Sequence, residues 1–158
     1  MEAQLRGAAG SDRLPSSARP VATGLFVWPS PPGAARLLAS RCPKCGDVSF
    51  PAVPHCRMPA CALIETEPFQ ISGTGNVISA TVQRYQPPGP FGRRQPFQPI
   101  PIALVEFEAG IAVLGVVKDW DGEPIPSGSQ ALLVLTTLYP AEDGAAVVGW
   151  AYQLEGRP

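Results

Sequence analysis

All four cysteines of this 158-residue chain fall within twenty positions, as Cys42-Pro43-Lys44-Cys45-Gly46 and Cys56-Arg57-Met58-Pro59-Ala60-Cys61. The spacing reads C-x2-C, ten residues, C-x4-C. Two short chelating loops of this kind offer four thiolates to one tetrahedral zinc ion, at about 2.3 Å, with little chain entropy lost. The spacing therefore predicts a zinc site of Cys42, Cys45, Cys56 and Cys61. Gly46 fits, because the residue after the second cysteine often takes a positive φ while backbone N–H groups turn toward a sulfur. Two disulfides would need an oxidising compartment, and no N-terminal signal supplies a route to one. A redox Cys-x-x-Cys pair would leave Cys56 and Cys61 unexplained. His55 could replace Cys56, but four cysteines complete the shell, and His55 reads as a neighbour.

The composition around this module narrows the class. A formal net charge of −1 and a charged fraction of 16% are not the strongly basic balance of a chain held by nucleic-acid phosphates. Twenty prolines and sixteen glycines suit short strands joined by turns. The longest early apolar run, Leu25-Phe26-Val27-Trp28, is too short for a signal core or a membrane span. A reducing cytoplasm is the expected location.

Three segments follow along the chain. Residues 1–33 read as a flexible lead with an apolar anchor at Leu25–Trp28, which either tucks onto the core or, through Phe26 and Trp28, grips a partner. Residues 34–63 read as a short helix followed by the cysteine module, with two helical turns over Gly33–Ser40 and Phe50 covering the metal. A module this small has too little apolar area to fold unaided, so the metal is expected to supply most of its stability. From 64 to 158 the period is two. Strands are expected at Ile64–Ile71, Gly75–Tyr85 (Ile78, Ala80 and Val82 on one face), Ile100–Phe107, Ile111–Val117, Gln130–Leu138 and Ala146–Leu154. Glu108-Ala109-Gly110 and Asp143-Gly144 mark turns. Five barrel strands with even spacing suit an OB barrel, and periodicity alone does not separate it from other small β-barrels.

The order of motifs carries a resemblance. Arg41-Cys42-Pro43-Lys44-Cys45-Gly46, Phe50-Pro51, Ser72-Gly73-Thr74-Gly75-Asn76-Val77 and Pro101-Ile102-Ala103-Leu104-Val105-Glu106-Phe107 together resemble a zinc-ribbon/OB-fold family, long catalogued as a domain of unknown function and linked to acyl-CoA metabolism. The likeness spans residues 34–153. It implies a mainly β protein, with a rubredoxin-like zinc ribbon followed by a five-stranded OB-fold barrel. Here the second cysteine pair is C-x4-C, where such ribbons usually carry C-x2-C. The family implies a non-catalytic accessory subunit in a hetero-oligomer with a thiolase-fold enzyme, or less often a hot-dog-fold enoyl-CoA hydratase. The implied shared substrate is a CoA thioester, cleaved by thiolysis or retro-aldol chemistry, for instance in aromatic or steroid side-chain degradation.

The residues supply no active site of their own. Nucleophilic catalysis needs a nucleophile beside a base, yet the only histidine, His55, sits in the cysteine module. Four cysteines close the coordination shell, whereas catalytic zinc keeps a position open. Glu106 and Glu108 read as solvated strand residues, and Gly73-Thr74-Gly75 reads as a turn or bulge rather than a phosphate cradle. Arg93 and Arg94 on the Pro-rich loop read either as solvated loop residues, the favoured reading, or, given the resemblance, as candidate clamps for CoA phosphates. Phe91, Phe97 and Trp120 flank the same connections and could wall an acyl channel, meet a partner or pack onto the barrel. The competing function is an OB-fold binder of single-stranded nucleic acid, which needs a basic groove with interleaved aromatics. Arg84 and Lys118 are the only basic residues between Gly75 and Leu138 outside the loop.

Overall fold

The computed structural model describes residues 14–61, 63–89 and 96–156. Among the described residues nine strands form: β1 (Arg19–Pro20), β2 (Arg36–Arg41), β3 (Val48–Ser49), β4 (Glu67–Ser72), β5 (Thr74–Gln83), β6 (Ile100–Glu106), β7 (Ala112–Val117), β8 (Gln130–Pro140) and β9 (Ala146–Leu154). Single 3-10 turns occupy Pro32–Ala34 and Pro59–Cys61.

Strands β5 to β9 close a five-stranded barrel. Neighbours run β5-β6-β7-β9-β8 and back to β5, antiparallel throughout except for the parallel β7–β9 pair. This is the OB arrangement that the motif order implies. The alternation that marks the strands also fills the barrel. Pro101, Ala103 and Val105 of β6 face inward and are buried, while Ile100, Ile102, Leu104 and Glu106 face out. Across β5 the expected face is interrupted. The register shifts between Val77 and Ser79, so Val77 is buried and Ile78 is 43% exposed. Ser127 Oγ and the Gly128 N–H donate to the carbonyls of Ile78 and Val77, at 2.8 and 2.7 Å, and pin the bulge. A second shift between Thr137 and Tyr139 bends β8; bulges of this kind supply the curvature that barrel closure needs. Tyr152 fills the centre, fully buried, its hydroxyl donating to the Val113 carbonyl at 2.8 Å.

The ribbon is a separate three-stranded sheet in the order β3-β2-β4. The two helical turns expected over Gly33–Ser40 do not form. Residues 36–41 instead pair along their whole length with β4, from Arg36 opposite Ser72 to Arg41 opposite Glu67. Leu37 and Ala39 then point to one side and are buried, with Leu38 on the other. Pairing with residues some thirty positions away outweighs the helix preference of a Leu-Leu-Ala segment. Only Gly73, at φ 82°, separates β4 from β5, so the ribbon runs into the barrel almost without a joint.

Residues 1–13 lie outside the described residues. From Leu14 onward the lead is attached. β1 pairs with β9 in parallel and the Val21 N–H donates to the Val148 carbonyl at 2.7 Å. The anchor Leu25–Trp28 tucks in, as one of its two readings holds: Leu25 and Val27 exchange backbone bonds with Leu38 and Arg36, and Phe26 is 3% exposed. Phe50 does not cover the metal module. Its ring meets Trp150 of β9 edge-on at 5.5 Å, and Phe26 meets the same indole at 6.4 Å. Ribbon residues Leu37, Ala39 and Ile71 therefore belong to one apolar cluster with barrel residues Val77, Val105, Val148 and Tyr152.

A shared core predicts one cooperative unfolding transition, with tryptophan fluorescence and far-ultraviolet dichroism coinciding in denaturant. Trp150→Ala should lower stability by about 3 kcal/mol; two separated transitions in the unsubstituted protein would contradict the shared core.

Candidate metal centre

The cysteine turns lie at the end of the ribbon away from that core. In the first, β2 ends at Arg41, and the Gly46 N–H returns to the Cys42 carbonyl at 2.9 Å while the Cys42 N–H reaches the Asp47 carbonyl at 2.9 Å. Gly46 stands at φ 77°, the left-handed conformation that lets the chain reverse there. In the second, the longer C-x4-C spacing is absorbed by the 3-10 turn Pro59–Cys61. The Cys61 N–H bonds to the Met58 carbonyl and the Ile64 N–H to the Cys61 carbonyl, at 2.8 and 3.0 Å. Lys44 Nζ donates to the Ala60 carbonyl at 3.2 Å and ties one knuckle to the other.

These turns bring all four predicted ligands together. The sulfurs of Cys42, Cys45, Cys56 and Cys61 lie within 4.8 Å of one another. Those of Cys45 and Cys56 are 3.7 Å apart, matching the edge of about 3.8 Å of a tetrahedron with 2.3 Å metal–sulfur bonds. Cys42, Cys56 and Cys61 are buried and Cys45 is exposed. His55 is exposed and bridges to Glu65 across the backbone; it stays outside the sulfur cluster.

Electrostatics explains why such a cluster calls for a cation. The Cys45 N–H, aided by that of Lys44, holds the Cys42 thiol down at about 7. At Cys56 the Met58 N–H, 3.4 Å from the sulfur, favours the thiolate, but burial and the sulfurs of Cys42 and Cys45 outweigh it and the thiol is pushed up. Burial, together with the charge of Cys45 and Cys42, pushes Cys61 up to about 12. The first thiolate is thus easily formed and each further one opposed by its neighbours. A divalent ion at the centre removes that opposition and leaves the N–H groups to support the residual charge on sulfur. Four thiolates fill a tetrahedral shell, so the arrangement suits a structural zinc ion and leaves no position for substrate.

The other candidate residues are not part of this centre. Arg93, Arg94 and Phe91 lie outside the described residues. Phe97 is half-buried. Trp120 helps line a cleft of about 440 Å³ with Gln98, Pro99, Pro101, Val117, Asp121 and Gly122. Its indole N–H donates to the Glu123 carbonyl at 2.7 Å. This cleft at the root of the Pro-rich loop was invisible in the sequence beyond the clustering of Trp120 with turn residues. Glu106 and Glu108 are both exposed. No helix among the described residues is long and apolar enough to cross a membrane.

Comparison with known proteins follows the same two-part division. Residues 33–63 match the family described as "ChsH2, rubredoxin-like zinc ribbon domain" and residues 69–134 that described as "ChsH2, C-terminal OB-fold domain". A "DUF35 domain-containing scaffold protein" of Pyrococcus furiosus is 34% identical over 119 residues, covering 75% of this chain and 82% of the relative. A protein of the same description from Methanocaldococcus jannaschii is 29% identical over 121 residues, 74% of this chain and 80% of that one. Among solved structures, one described as "Ltp2-ChsH2(DUF35) aldolase" superposes with a TM-score of 0.57 at 24% identity, covering 75% of this chain and 84% of that one. At that identity the likeness concerns the fold.

Elemental analysis of protein produced without added metal should give about one zinc per chain. Cys45→Ser should cut that content well below half and make the protein prone to aggregate, because the knuckles lose the ion that sets them. A stable, metal-free chain with four freely titratable thiols would refute the site.

Proposed function

This chain belongs to the DUF35 family of zinc-ribbon and OB-fold scaffold proteins, and from that premise we propose that it is a non-catalytic accessory subunit of a thiolase-fold enzyme acting on acyl-CoA thioesters. In this reading Cys42, Cys45, Cys56 and Cys61 hold a structural zinc ion. The partner performs the thiolytic or retro-aldol cleavage, and this subunit helps shape the acyl-CoA site and holds the complex together in the cytoplasm. Arg93 and Arg94 bind the CoA phosphates.

The observation that carries the reading is the chemistry of the sulfur cluster. Among the described residues the four thiols converge at one point and suit a closed shell, and the chain's single histidine, exposed next to Cys56, lies outside that cluster. A fold whose described residues converge on a closed metal-type shell rather than on an open site suits a protein that works by binding. The scaffold description of the archaeal relatives and the aldolase assembly to which the fold is similar support an enzyme as partner. The acyl-CoA class rests on the family resemblance. The competing nucleic-acid reading lacks its chief requirement, since β5 to β9 carry no Lys or Arg at all, and base stacking on an OB barrel is ordinarily joined to a basic groove.

Co-expression with a thiolase-fold enzyme of the same organism should give a complex that survives size exclusion and buries upward of about 2,000 Å². Activity should be absent from either component alone; full activity of the enzyme without this chain would overturn the proposal. Arg93→Ala with Arg94→Ala should raise KM for the CoA substrate while the complex stays intact, and an unchanged KM would overturn the clamp only. Single-stranded oligonucleotides should bind more weakly than micromolar at about 150 mM salt. Tight, steeply salt-dependent binding would favour the competing reading.

A further inference from the structure

Exposure divides the four sulfur ligands unevenly. Cys42, Cys56 and Cys61 are 1%, 7% and 3% exposed, whereas Cys45 is open to solvent. A reagent in solution therefore meets one ligand of the shell before the other three. Oxidants and electrophiles select among thiolates largely by access, so Cys45 is the sulfur they reach first. The fold also places a particular neighbour behind it: Cys56 Sγ lies 3.7 Å from Cys45 Sγ. Cys45 stands on the first knuckle and Cys56 on the second. A bond between their sulfurs would cross from one knuckle to the other.

Several contacts that use no sulfur hold these two residues near one another. The Gly46 N–H closes the first knuckle on the Cys42 carbonyl, and the Cys61 N–H closes the second on the Met58 carbonyl. Lys44 Nζ, donating to the Ala60 carbonyl at 3.2 Å, joins the two. Behind the knuckles, β2 and β4 pair along their whole length, and Leu37, Ala39 and Ile71 fix them in the shared core. Chemistry at the knuckle sulfurs can therefore proceed while the ribbon sheet stays in place.

We propose that Cys45 is an oxidant-sensitive site on the metal centre, modified first by hydrogen peroxide and then closed onto Cys56 as a disulfide that opens the shell reversibly. The Cys45 thiolate attacks one peroxide oxygen; an S–O bond forms, the O–O bond breaks and hydroxide departs. Cys45 is then a sulfenic acid. The Cys56 thiolate attacks that sulfur, forms the S–S bond and expels a second hydroxide. Two protons from solvent turn the hydroxides into water. The two sulfurs have lost two electrons, peroxide has gained them, and zinc keeps its charge. Only Cys42 and Cys61 remain as thiolates, so the chain's hold on the ion falls from four ligands to two and the ion is released. The new bond ties the first knuckle to the second in the ion's place, and a thiol reductant restores all four thiolates.

The test uses the full, zinc-loaded chain. Iodoacetamide at less than one equivalent should label Cys45 ahead of the other three cysteines, read by peptide mapping. Hydrogen peroxide should release zinc to a chromogenic chelator in step with thiol loss, about one ion for every two thiols. Mass spectrometry should find Cys45–Cys56 as the first disulfide. Far-ultraviolet dichroism should persist through the release, and dithiothreitol with added zinc should return the metal content to its starting value. Cys45→His keeps four ligands, because imidazole serves zinc as thiolate does, and it removes the sulfur that peroxide attacks. It should bind about one zinc and lose it to peroxide at least about tenfold more slowly. First labelling at Cys42, Cys56 or Cys61, or a first disulfide within one knuckle, would overturn the proposal, as would zinc loss from Cys45→His at the original rate. Should Cys45→His take up no zinc, the labelling order and the disulfide map of the original chain decide alone.

Discussion

The fold depends on an apolar cluster that no single module owns. The ribbon contributes Leu37, Ala39 and Ile71, the lead contributes Phe26, and the barrel contributes Val77, Val148 and Tyr152. A three-stranded sheet of this size buries too little area to stand by itself. It is stable because its inner face is roofed by the barrel and by the segment running across it. Trp150 sits at the seam. It meets Phe26 and Phe50 edge-on, and its indole N–H is satisfied by the Leu114 carbonyl at 2.9 Å, so a large ring fits at a boundary without leaving a polar atom unpaired.

That division gives the two ends of the ribbon different physics. The base is held by burial, which acts over the whole cluster and needs no particular atom. The knuckle end holds little apolar surface, its buried side chains being Cys42, Cys56 and Cys61, and is set by short-range electrostatics: thiolates, backbone N–H groups and the ion they call for. The expectation that metal would supply most of the module's stability is therefore too broad. β2 and β4 are carried by the core, which leaves only the knuckles for a metal to set.

Legibility in the sequence followed the range of the interaction. Cysteine spacing and strand alternation are local, and both β6 to β9 and the convergence of the four sulfurs were visible within a few residues of a strand end. The failures were non-local. Residues 36–41 have a composition that tolerates a helix, and only their partner strand at residues 67–72 decides otherwise. Phe50 reads as a lid over nearby cysteines until Trp150, a hundred residues on, takes its ring. The bulge at Ile78 depends on the loop at residues 127–129, which no period in β5 announces. The C-x4-C departure proved local after all, absorbed by one 3-10 turn.

The passage from β4 into β5 through a single glycine has a mechanical consequence. Two domains joined by a linker respond to a load at one end by swinging, and the motion dissipates in the joint. Here the last strand of the ribbon sheet passes through Gly73 alone into the first stave of the barrel, and the seam beside it is packed. With so short a connection and a packed seam, a displacement imposed at the knuckles is expected to turn the barrel with the ribbon rather than flex a joint between them. Whatever grips the ribbon end therefore also aims the far rim of the barrel, and a small error in seating is magnified with distance.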